Sequence, residues 1–354
     1  MMPKIQVDRA NDAASGTPAV DRHEAMLTNR AVNSACTFSL VIPVYRNEEN
    51  IEELIASLGD MHRQLDSLEV VFVIDGSPDA SGTLLLAAQN TFPFESKIVF
   101  HSRNFGSFTA IRTGLEHASG QYIAAMAADL QEPPELIIEF FRLLRADEAD
   151  VVFGQRIGRH DSLLRDALSN SFWWLYRKMV IPDIPKGGVD IFACNRLATD
   201  ALLEILEPNS SLVAQLFWVG FRRKFVPYDR RKRIHGKSAW NFSRRMRYMM
   251  DSIFSFSDLP ILLVLWLGII GCVCSLSFGV IVLIARILGM IDVPGYAALV
   301  VLLTFSFSAI LMVQGIIGSY LWRAFENTKR RPLRVISAVS AGFPAQEKKE
   351  VDNA

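Results

Sequence analysis

Short apolar runs alternate with amphipathic stretches over the first half of the chain. The runs are rich in valine, isoleucine and phenylalanine and end at polar residues, which is typical of buried strands. They are Thr37–Ile42, Glu69–Ile74, Lys97–Phe100, Tyr122–Met126 and Val151–Phe153. Helical patterns lie between the first four of them, at about Glu49–Leu65, Ser81–Gln89 and Phe105–Ala118. This alternation predicts an α/β domain with a mainly parallel sheet and helices on both faces.

Polar and acidic residues follow strand after strand in this pattern. Tyr45 follows the first strand, Asp75 the second, and Asp129 with Gln131 the fourth. The carboxyl ends of parallel strands meet at one edge of an open α/β sheet, where ligands bind. We therefore expect these side chains to lie close together and to form a site.

The segment after the fourth strand, Ala128–Glu135, reads ADLQEPPE and carries the most specific chemistry. A carboxylate at Asp129 and an amide oxygen at Gln131 suit a hard divalent cation, Mg²⁺ or Mn²⁺, that carries a diphosphate. The alternative is that Asp129 only caps the helix that Pro134 begins.

Two long uncharged runs, 259–285 and 293–322, occupy the second half of the chain. As helices they would reach about 40 and 45 Å, more than the roughly 30 Å of a bilayer's hydrocarbon core. Only residues 286–292 separate them, so we predict a two-helix transmembrane hairpin. Basic residues flank its outer ends, which predicts a cytoplasmic (inner) membrane protein with the α/β domain and both termini in the cytoplasm.

Net charge is zero over the 354 residues, but the charge is unevenly spread. Residues 222–247 hold eleven Lys or Arg against one acid. Such a block indicates a solvated basic face, nucleic-acid binding or an anionic membrane surface. The hairpin that follows favours the lipid bilayer and argues against nucleic acid.

The remaining segments complete the predicted organisation. Residues 1–35 are polar and aperiodic, so we expect a flexible arm before the α/β domain at 36–240, and a similar cytoplasmic tail at 323–354. Within the domain, 161–180 has apolar residues on one helical face, with tryptophans beside it, and predicts an interfacial helix. Its alternative is a core-packing helix. A second interfacial helix at 241–258 would lead into the first span.

Six motifs follow one another along the chain: PVYRNEEN at Pro43, DGSPD at Asp75, SRNFG at Ser102, ADLQEPPE at Ala128, GGVDIFACNR at Gly187 and RIHGKSAW at Arg233. This ordered set resembles the inverting, family 2 glycosyltransferases with the GT-A fold, and within them the branch of polyprenyl-phosphate sugar transferases. The resemblance implies a Rossmann-like GT-A domain before the hairpin, and a homo-oligomer, which is a tetramer in relatives.

The resemblance also implies roles for individual residues. Pro43, Tyr45 and Asp75 match the nucleotide pocket for a UDP- or GDP-linked sugar, with Asp129 and Gln131 as the metal and donor ligands. Asp190 matches the family's catalytic acid near the sugar and the acceptor. Arg156, Arg165 and Ser169 match contacts to the acceptor phosphate, whereas Arg233, His235 and Lys237 belong to a predicted loop that could fold over the diphosphate. For the nucleotide set and Asp190, turn or packing roles remain open, and each arginine could be a solvated charge.

The chain departs from the family pattern at several positions. Ile74 and Ala127 stand where the family often has acids, so the metal site has one candidate ligand fewer. A non-catalytic membrane scaffold therefore stays open as an alternative, as does transfer to another lipid or polysaccharide. A processive synthase is disfavoured, because Gln215–Trp218 reads QLFW and does not match the expected Gln-x-x-Arg-Trp motif.

Overall fold

The computed structural model describes residues 37–65, 67–157, 183–185, 189–207, 210–231, 295–329 and 331–343, with isolated positions at 177 and between 250 and 288. Eight strands are present in this part of the chain. They are β1 (Phe38–Val44), β2 (Leu68–Ile74), β3 (Glu95–His101), β4 (Tyr122–Ala125), β5 (Val151–Arg156), β6 (Val189–Asn195), β7 (Arg223–Tyr228) and β8 (Ile336–Gly342).

Seven α-helices accompany the strands in the described residues. They are α1 (Ile51–His62), α2 (Ser81–Ala88), α3 (Ser107–His117), α4 (Pro134–Arg145), α5 (Arg196–Glu204), α6 (Leu212–Trp218) and α7 (Tyr296–Thr328). Short 3-10 turns at Glu48–Asn50 and Gln89–Thr91 precede α1 and follow α2. The five strands and three helices expected from periodicity are confirmed, with ends shifted by a few residues.

All eight strands form one sheet in the order β7-β5-β6-β4-β1-β2-β3-β8. The central strands β4, β1, β2 and β3 are parallel, whereas β6 runs antiparallel to both β4 and β5, and β8 runs antiparallel to β3. The predicted α/β class with a mainly parallel sheet is confirmed. Because β2 and β4 lie on opposite sides of β1, the connections change direction there, which makes the edge beside β1 a topological switch point.

Successive residues of a strand point to opposite faces, and both faces of this sheet are buried. Leu40 and Phe72 pack with α1 and α4 residues in one cluster, while Val41 and Val71 belong to a second cluster with α3, α5 and α6. All four side chains have no measurable exposure. The two clusters hold the strands firmly, so the loops at their carboxyl ends are built on a rigid base.

Strand β8 corrects the expectation for the tail after Pro332, which we predicted to resemble the flexible arm. Residues 336–342 pair with β3 in a register that sets Ser96 opposite Gly342 and Phe100 opposite Ala338. The prediction was wrong because this strand is built from small and polar residues, ISAVSAG, whose pairing depends on the exposed edge of β3. Strand β7, inside the basic block, was also not anticipated.

No helix in the part of the chain that the structure describes combines the length and the hydropathy needed to cross a membrane. Most of 259–285 and the whole of 241–249 lie outside the described residues, as do 1–36 and all of 161–180 except Arg177. The predicted hairpin, interfacial helices and flexible arm therefore stay predictions.

Candidate active site

The carboxyl edge of the sheet gathers the predicted site residues. Strands β1, β2 and β4 end at Val44, Ile74 and Ala125, directly before the loops that carry Tyr45, Asp75 and Asp129. Strand β6 runs the other way, so its first residues reach the same edge, with Val189 opposite Gln155 of β5. Asp190, the next residue, therefore has its backbone at this edge too. Its side chain is outside the described set.

The loops after β1 and β2 are linked by reciprocal hydrogen bonds. The Arg46 amide donates to Ser77 Oγ at 2.7 Å, and the Glu48 amide donates to Asp79 Oδ2 at 3.1 Å. In return the Ala80 amide donates to Glu48 Oε2 at 2.9 Å. Arg46 adopts a left-handed backbone conformation, with φ of 55°, which costs energy in a residue other than glycine and is held here by these bonds.

Asp79 is the central acceptor of this pair of loops. Burial opposes its ionisation, but hydrogen bonds from the Ser77 and Ser81 side chains and from the Glu48 amide outweigh that effect and hold the pKa of Asp79 below its usual value. An ionised Asp79 therefore fixes both loops in place at neutral pH. Beside it lies an open cavity of about 290 Å³, lined by Arg46, Glu48, Glu49, Pro78 and Asp79.

Pro43 and Tyr45 lie at the end of β1 and directly after it, next to Arg46, which lines this cavity. Pro43 lies in β1 opposite Val73 of β2, at the end of the strand. The Tyr45 ring is 37 % exposed, and the Arg46 guanidinium lies 5.5 Å from its centroid. An exposed ring at a strand end can stack on a base, and the nearby cation adds favourable electrostatics. The nucleotide contacts themselves stay a prediction.

Asp75 faces the interior of the fold more than the open edge. It is 2 % exposed. Its Oδ1 accepts from the Phe105 amide at 2.8 Å, and its Oδ2 accepts from the Gly106 amide at 2.8 Å. Oδ1 also lies 2.8 Å from His101 Nδ1. This carboxylate therefore holds the loop 102–106, which carries the SRNFG motif, against the end of β2.

His101 is a buried residue that the sequence reading did not single out. Its Nε2 lies 2.9 Å from Thr113 Oγ1 on α3, while its other ring nitrogen meets Asp75. The ring thus joins the end of β3 to the helix that follows. A polar residue closing a buried strand, directly before SRNFG, was the available signal for this role.

The ADLQ segment forms a tight turn between β4 and α4. Leu130 has a positive φ of 52°, and the Gln131 amide donates to Asp129 Oδ1 at 3.3 Å. Asp129 is 9 % exposed. Helix α4 begins at Pro134, so the turn is fixed at both ends. Asp129 and Gln131 are thereby brought to the switch point, as the sequence predicts.

The start of the basic block is attached to this turn. The Arg231 amide donates to the Gln131 carbonyl at 2.9 Å, and Gln131 Nε2 donates to the Arg231 carbonyl at 3.2 Å. Arg231 also pairs with Glu135 at 3.3 Å, and Arg230 with Glu132 at 3.6 Å.

We expected the basic block 222–247 to be a membrane-facing surface, but its first basic residues form ion pairs with acidic residues of the α/β domain. Arg222 contacts Asp150 and Asp147 at 2.9 and 2.5 Å, and Lys224 contacts Glu148 at 2.5 Å. The hydrogen bonds from Arg222 hold the pKa of Asp150 below its usual value. These contacts fasten β7 to the sheet, so this part of the block is structural. The six basic residues after Arg231 lie outside the described residues.

The candidate metal ligands suit a hard divalent cation chemically, but there are few of them. Asp129 and Gln131 offer a carboxylate and an amide, and Ala127 leaves the family's other acidic position without a ligand. Within the described residues, no group of three or more His, Cys, Asp or Glu side chains could hold a metal ion. A cation here would need further oxygens, which a diphosphate supplies.

Arg156 lies at the end of β5, opposite Tyr228 of β7. Its Nε atom is buried and has no hydrogen-bond partner among the described residues. A buried guanidinium nitrogen without an acceptor is costly, so an anionic ligand would suit it. The other predicted phosphate contacts, Arg165 and Ser169 for the acceptor and Arg233, His235 and Lys237 for the diphosphate, lie outside the described residues.

Comparison with known proteins agrees with this geometry. The family model for glycosyl transferase family 2 matches residues 39–254. The chain is 34 % identical over 301 residues to an uncharacterized glycosyltransferase of Synechocystis sp., covering 84 % of this chain and 94 % of that protein. It is 29 % identical over 308 residues to a prophage-derived bactoprenol glucosyl transferase of Shigella flexneri, covering 86 % and 99 %.

Among solved structures, the chain is similar to glucosyl-3-phosphoglycerate synthase from Mycobacterium tuberculosis in complex with Mn²⁺, uridine diphosphate and phosphoglyceric acid. The identity is 17 % and the TM-score 0.41, over 59 % of this chain and 74 % of that one. The family model covers more than half of the chain, from the second residue of β1 to beyond the end of β7. The chain therefore belongs to glycosyltransferase family 2.

Proposed function

We propose that this family 2 glycosyltransferase moves a sugar from a nucleotide sugar to a polyprenyl phosphate, with inversion at the anomeric carbon. The observation that carries the proposal is the match to the bactoprenol glucosyl transferase of Shigella flexneri over 99 % of that protein's length. The match extends beyond the catalytic domain into the uncharged runs. The product would be a lipid-linked sugar for the cell envelope.

The donor would bind at the carboxyl ends of β1, β2 and β4. Tyr45 would stack on the base, and the cavity beside Arg46 and Asp79 offers room for part of the nucleotide. Asp129 and Gln131 would hold Mg²⁺ or Mn²⁺, which when bound stabilises the negative charge on the diphosphate leaving group. The paired loops 45–48 and 75–81 keep these groups fixed while the sugar's bond to the diphosphate breaks.

The acceptor would approach from the side of β5 and β6. An oxygen of the polyprenyl phosphate attacks the sugar's C1, and the bond from C1 to the diphosphate oxygen breaks, so the electron pair leaves with the nucleoside diphosphate. A phosphate is already ionised near neutral pH, so Asp190 would orient the acceptor more than deprotonate it. Arg156, whose buried Nε has no hydrogen-bond partner among the described residues, would bind the acceptor phosphate together with Arg165 and Ser169.

The proposal includes a cytoplasmic catalytic domain anchored in the inner membrane by the two uncharged runs. The second run lies largely within α7, whose exposed side chains include Leu299, Leu302, Leu303, Phe307, Ile310 and Leu321. Strand β8 returns to the catalytic sheet only eight residues after α7 ends at Thr328. The carboxyl end of α7 therefore lies on the same side as the catalytic domain, which supports the predicted topology.

A reconstitution assay tests the proposal. Purified full-length protein is incubated with Mg²⁺ or Mn²⁺, a short polyprenyl phosphate and a panel of UDP- and GDP-linked sugars. We expect one donor to yield a polyprenyl-phosphate sugar whose anomeric configuration is opposite to that of the donor. Transfer only to water or to soluble sugars would overturn the acceptor assignment, and no turnover of any donor would favour a non-catalytic scaffold.

A further inference from the structure

The segment that follows α7 returns to the catalytic domain instead of trailing away from it. Strand β8 lies at one edge of the described sheet and pairs with β3 from Ser96 to His101. It joins the sheet beside the strand whose carboxyl end leads into the loop 102–106. A strand in this position can affect that loop directly.

Side chains as well as backbone hold β8 in place. Ser340 Oγ donates to Gln89 Oε1 at 2.7 Å, and Gln89 Nε2 donates to the Ser340 carbonyl at 3.4 Å. Gln89 is only 5 % exposed. A Cβ atom at Gly342 would come within 2.6 Å of Gln89 Cγ, so the strand packs closely against this side chain. The docking is specific to this register.

The amino end of the segment contacts the loop and the helix α3. The Ser102 amide donates to the Val335 carbonyl at 2.9 Å, and Ser337 Oγ donates to the Phe100 carbonyl at 3.2 Å. Arg334 forms an ion pair with Glu116 of α3. Burial of Arg334 disfavours its charged form and lowers its pKa from the ordinary value.

A continuous set of contacts leads from here to the nucleotide pocket. The loop 102–106 is held by the Asp75 carboxylate, and it passes so close to Gly76 that a Cβ there would lie 2.3 Å from the Arg103 carbonyl carbon. Ser77 and Asp79 follow at once and fix the loop after β1. Each step is a direct contact between neighbouring loops of one rigid edge.

We propose that the segment 334–342 is a positioning element for the nucleotide-sugar half of the active site, with Arg334 and Gln89 as its positioning residues. It holds the loop 102–106, which in turn holds the loops 75–81 and 45–48. The inference rests on the proposed function for its donor. The segment that follows the second uncharged run would therefore take part in binding the nucleotide sugar.

Two truncations test the role of the strand. Ending the chain after Lys329 removes the segment, whereas ending it after Phe343 keeps β8 and serves as the matched control. Without the segment we expect the KM for the nucleotide sugar to rise about tenfold or more, while the KM for polyprenyl phosphate changes less than about twofold. Equal donor KM values in the two truncated proteins would overturn the proposal.

Point variants keep the test decisive if the shorter protein does not fold. Arg334→Ala and Gln89→Ala should each raise the donor KM about fivefold, and Arg334→Lys should restore most of it. Arg63→Ala is the control, because Arg63 directly follows α1 and pairs with a carboxylate, Asp60, on the exposed surface. Loss of thermal stability with unchanged donor KM would show a structural role only and overturn the proposal.

Binding of UDP and GDP, measured by calorimetry without any acceptor, separates this inference from the proposed function. If the full-length protein binds neither nucleotide and turns over no donor, the proposed function fails. If it binds one of them, and Arg334→Ala binds it with the same affinity, only the positioning role fails. We expect the variant to bind about fivefold more weakly, in step with its donor KM.

Discussion

At the scale of single residues, Asp75 after β2 and Asp129 after β4 differ in how their positions are determined. Asp129 lies at the turn where the sequence places it, because the strand before it and Pro134 after it fix the turn locally. Asp75 also lies where predicted, but its carboxylate accepts amides from Phe105 and Gly106. That contact depends on how a loop thirty residues later approaches β2, which no local pattern encodes.

Replacing Asp75 tests this difference. Asp75→Ala leaves two amides and His101 without their acceptor inside the fold, so we expect a loss of about 3 kcal/mol in unfolding free energy, or roughly 6–12 °C in Tm. Thermal unfolding followed by tryptophan fluorescence measures it, with the exposed Asp60→Ala as the control. An unchanged Tm with a raised donor KM would instead make Asp75 a ligand contact only.

At the scale of elements, the parallel strands were predictable because their hydrophobic runs are buried on both faces. Strands β7 and β8 were not, since they are partly exposed edge strands. The polar RKFVPY and the small-residue ISAVSAG carry weak strand signals, and their pairing is decided by the edges of β5 and β3. Hydrogen bonds and ion pairs between strands at the opposite end of the sheet could not be predicted either, because they too depend on residues far apart in the sequence.

Glu69 of β2 makes such contacts, and they make the stability of the fold depend on pH. Burial opposes its ionisation, but the Lys97 ion pair at 2.6 Å and hydrogen bonds from the Ser119 amide and Ser39 outweigh it and lower the pKa of Glu69 from its ordinary 4.5. A carboxyl group whose pKa is lower in the folded than in the unfolded state stabilises the fold when the pH is above its unfolded pKa. This contribution is lost as the pH falls through the folded pKa.

We therefore expect Glu69→Gln to lower the Tm at pH 7. The difference in Tm between the variant and the parent protein should shrink as the pH falls below about 4.5. Thermal unfolding of both proteins between pH 7 and pH 3 measures this convergence. A gap that stays constant over the whole range would show that ionised Glu69 contributes nothing specific.

At the scale of the whole molecule, one rigid sheet carries the site, and the chain leaves it for α7 and then returns as β8. The α/β domain and its motif order could be predicted, because the strands β1 to β5 and the helices between the first four of them are encoded by neighbouring residues. The return of the tail could not, since it depends on α7 ending beside the sheet edge. The predicted membrane topology requires Thr83 on α2 and the loop 286–292 to lie on opposite sides.

Cysteine labelling in intact cells tests this topology. In a background lacking the native cysteines, a membrane-impermeant maleimide should label Gly289→Cys and should not label Thr83→Cys, whose position on α2 is exposed at the domain surface. Both positions should react after permeabilisation, which confirms that each probe is accessible. Labelling of Thr83→Cys but not of Gly289→Cys in intact cells would reject the topology.

The most direct test of the central claim compares sugar transfer to polyprenyl phosphate by the parent protein and by Asp129→Asn under the same conditions. Asp60→Asn, an exposed carboxylate on α1, is the matched control. The account predicts transfer by the parent and the control, a loss of at least about a hundredfold in Asp129→Asn, and a similar loss in the parent with excess chelator. Full activity of Asp129→Asn, or of the parent in chelator, would contradict it.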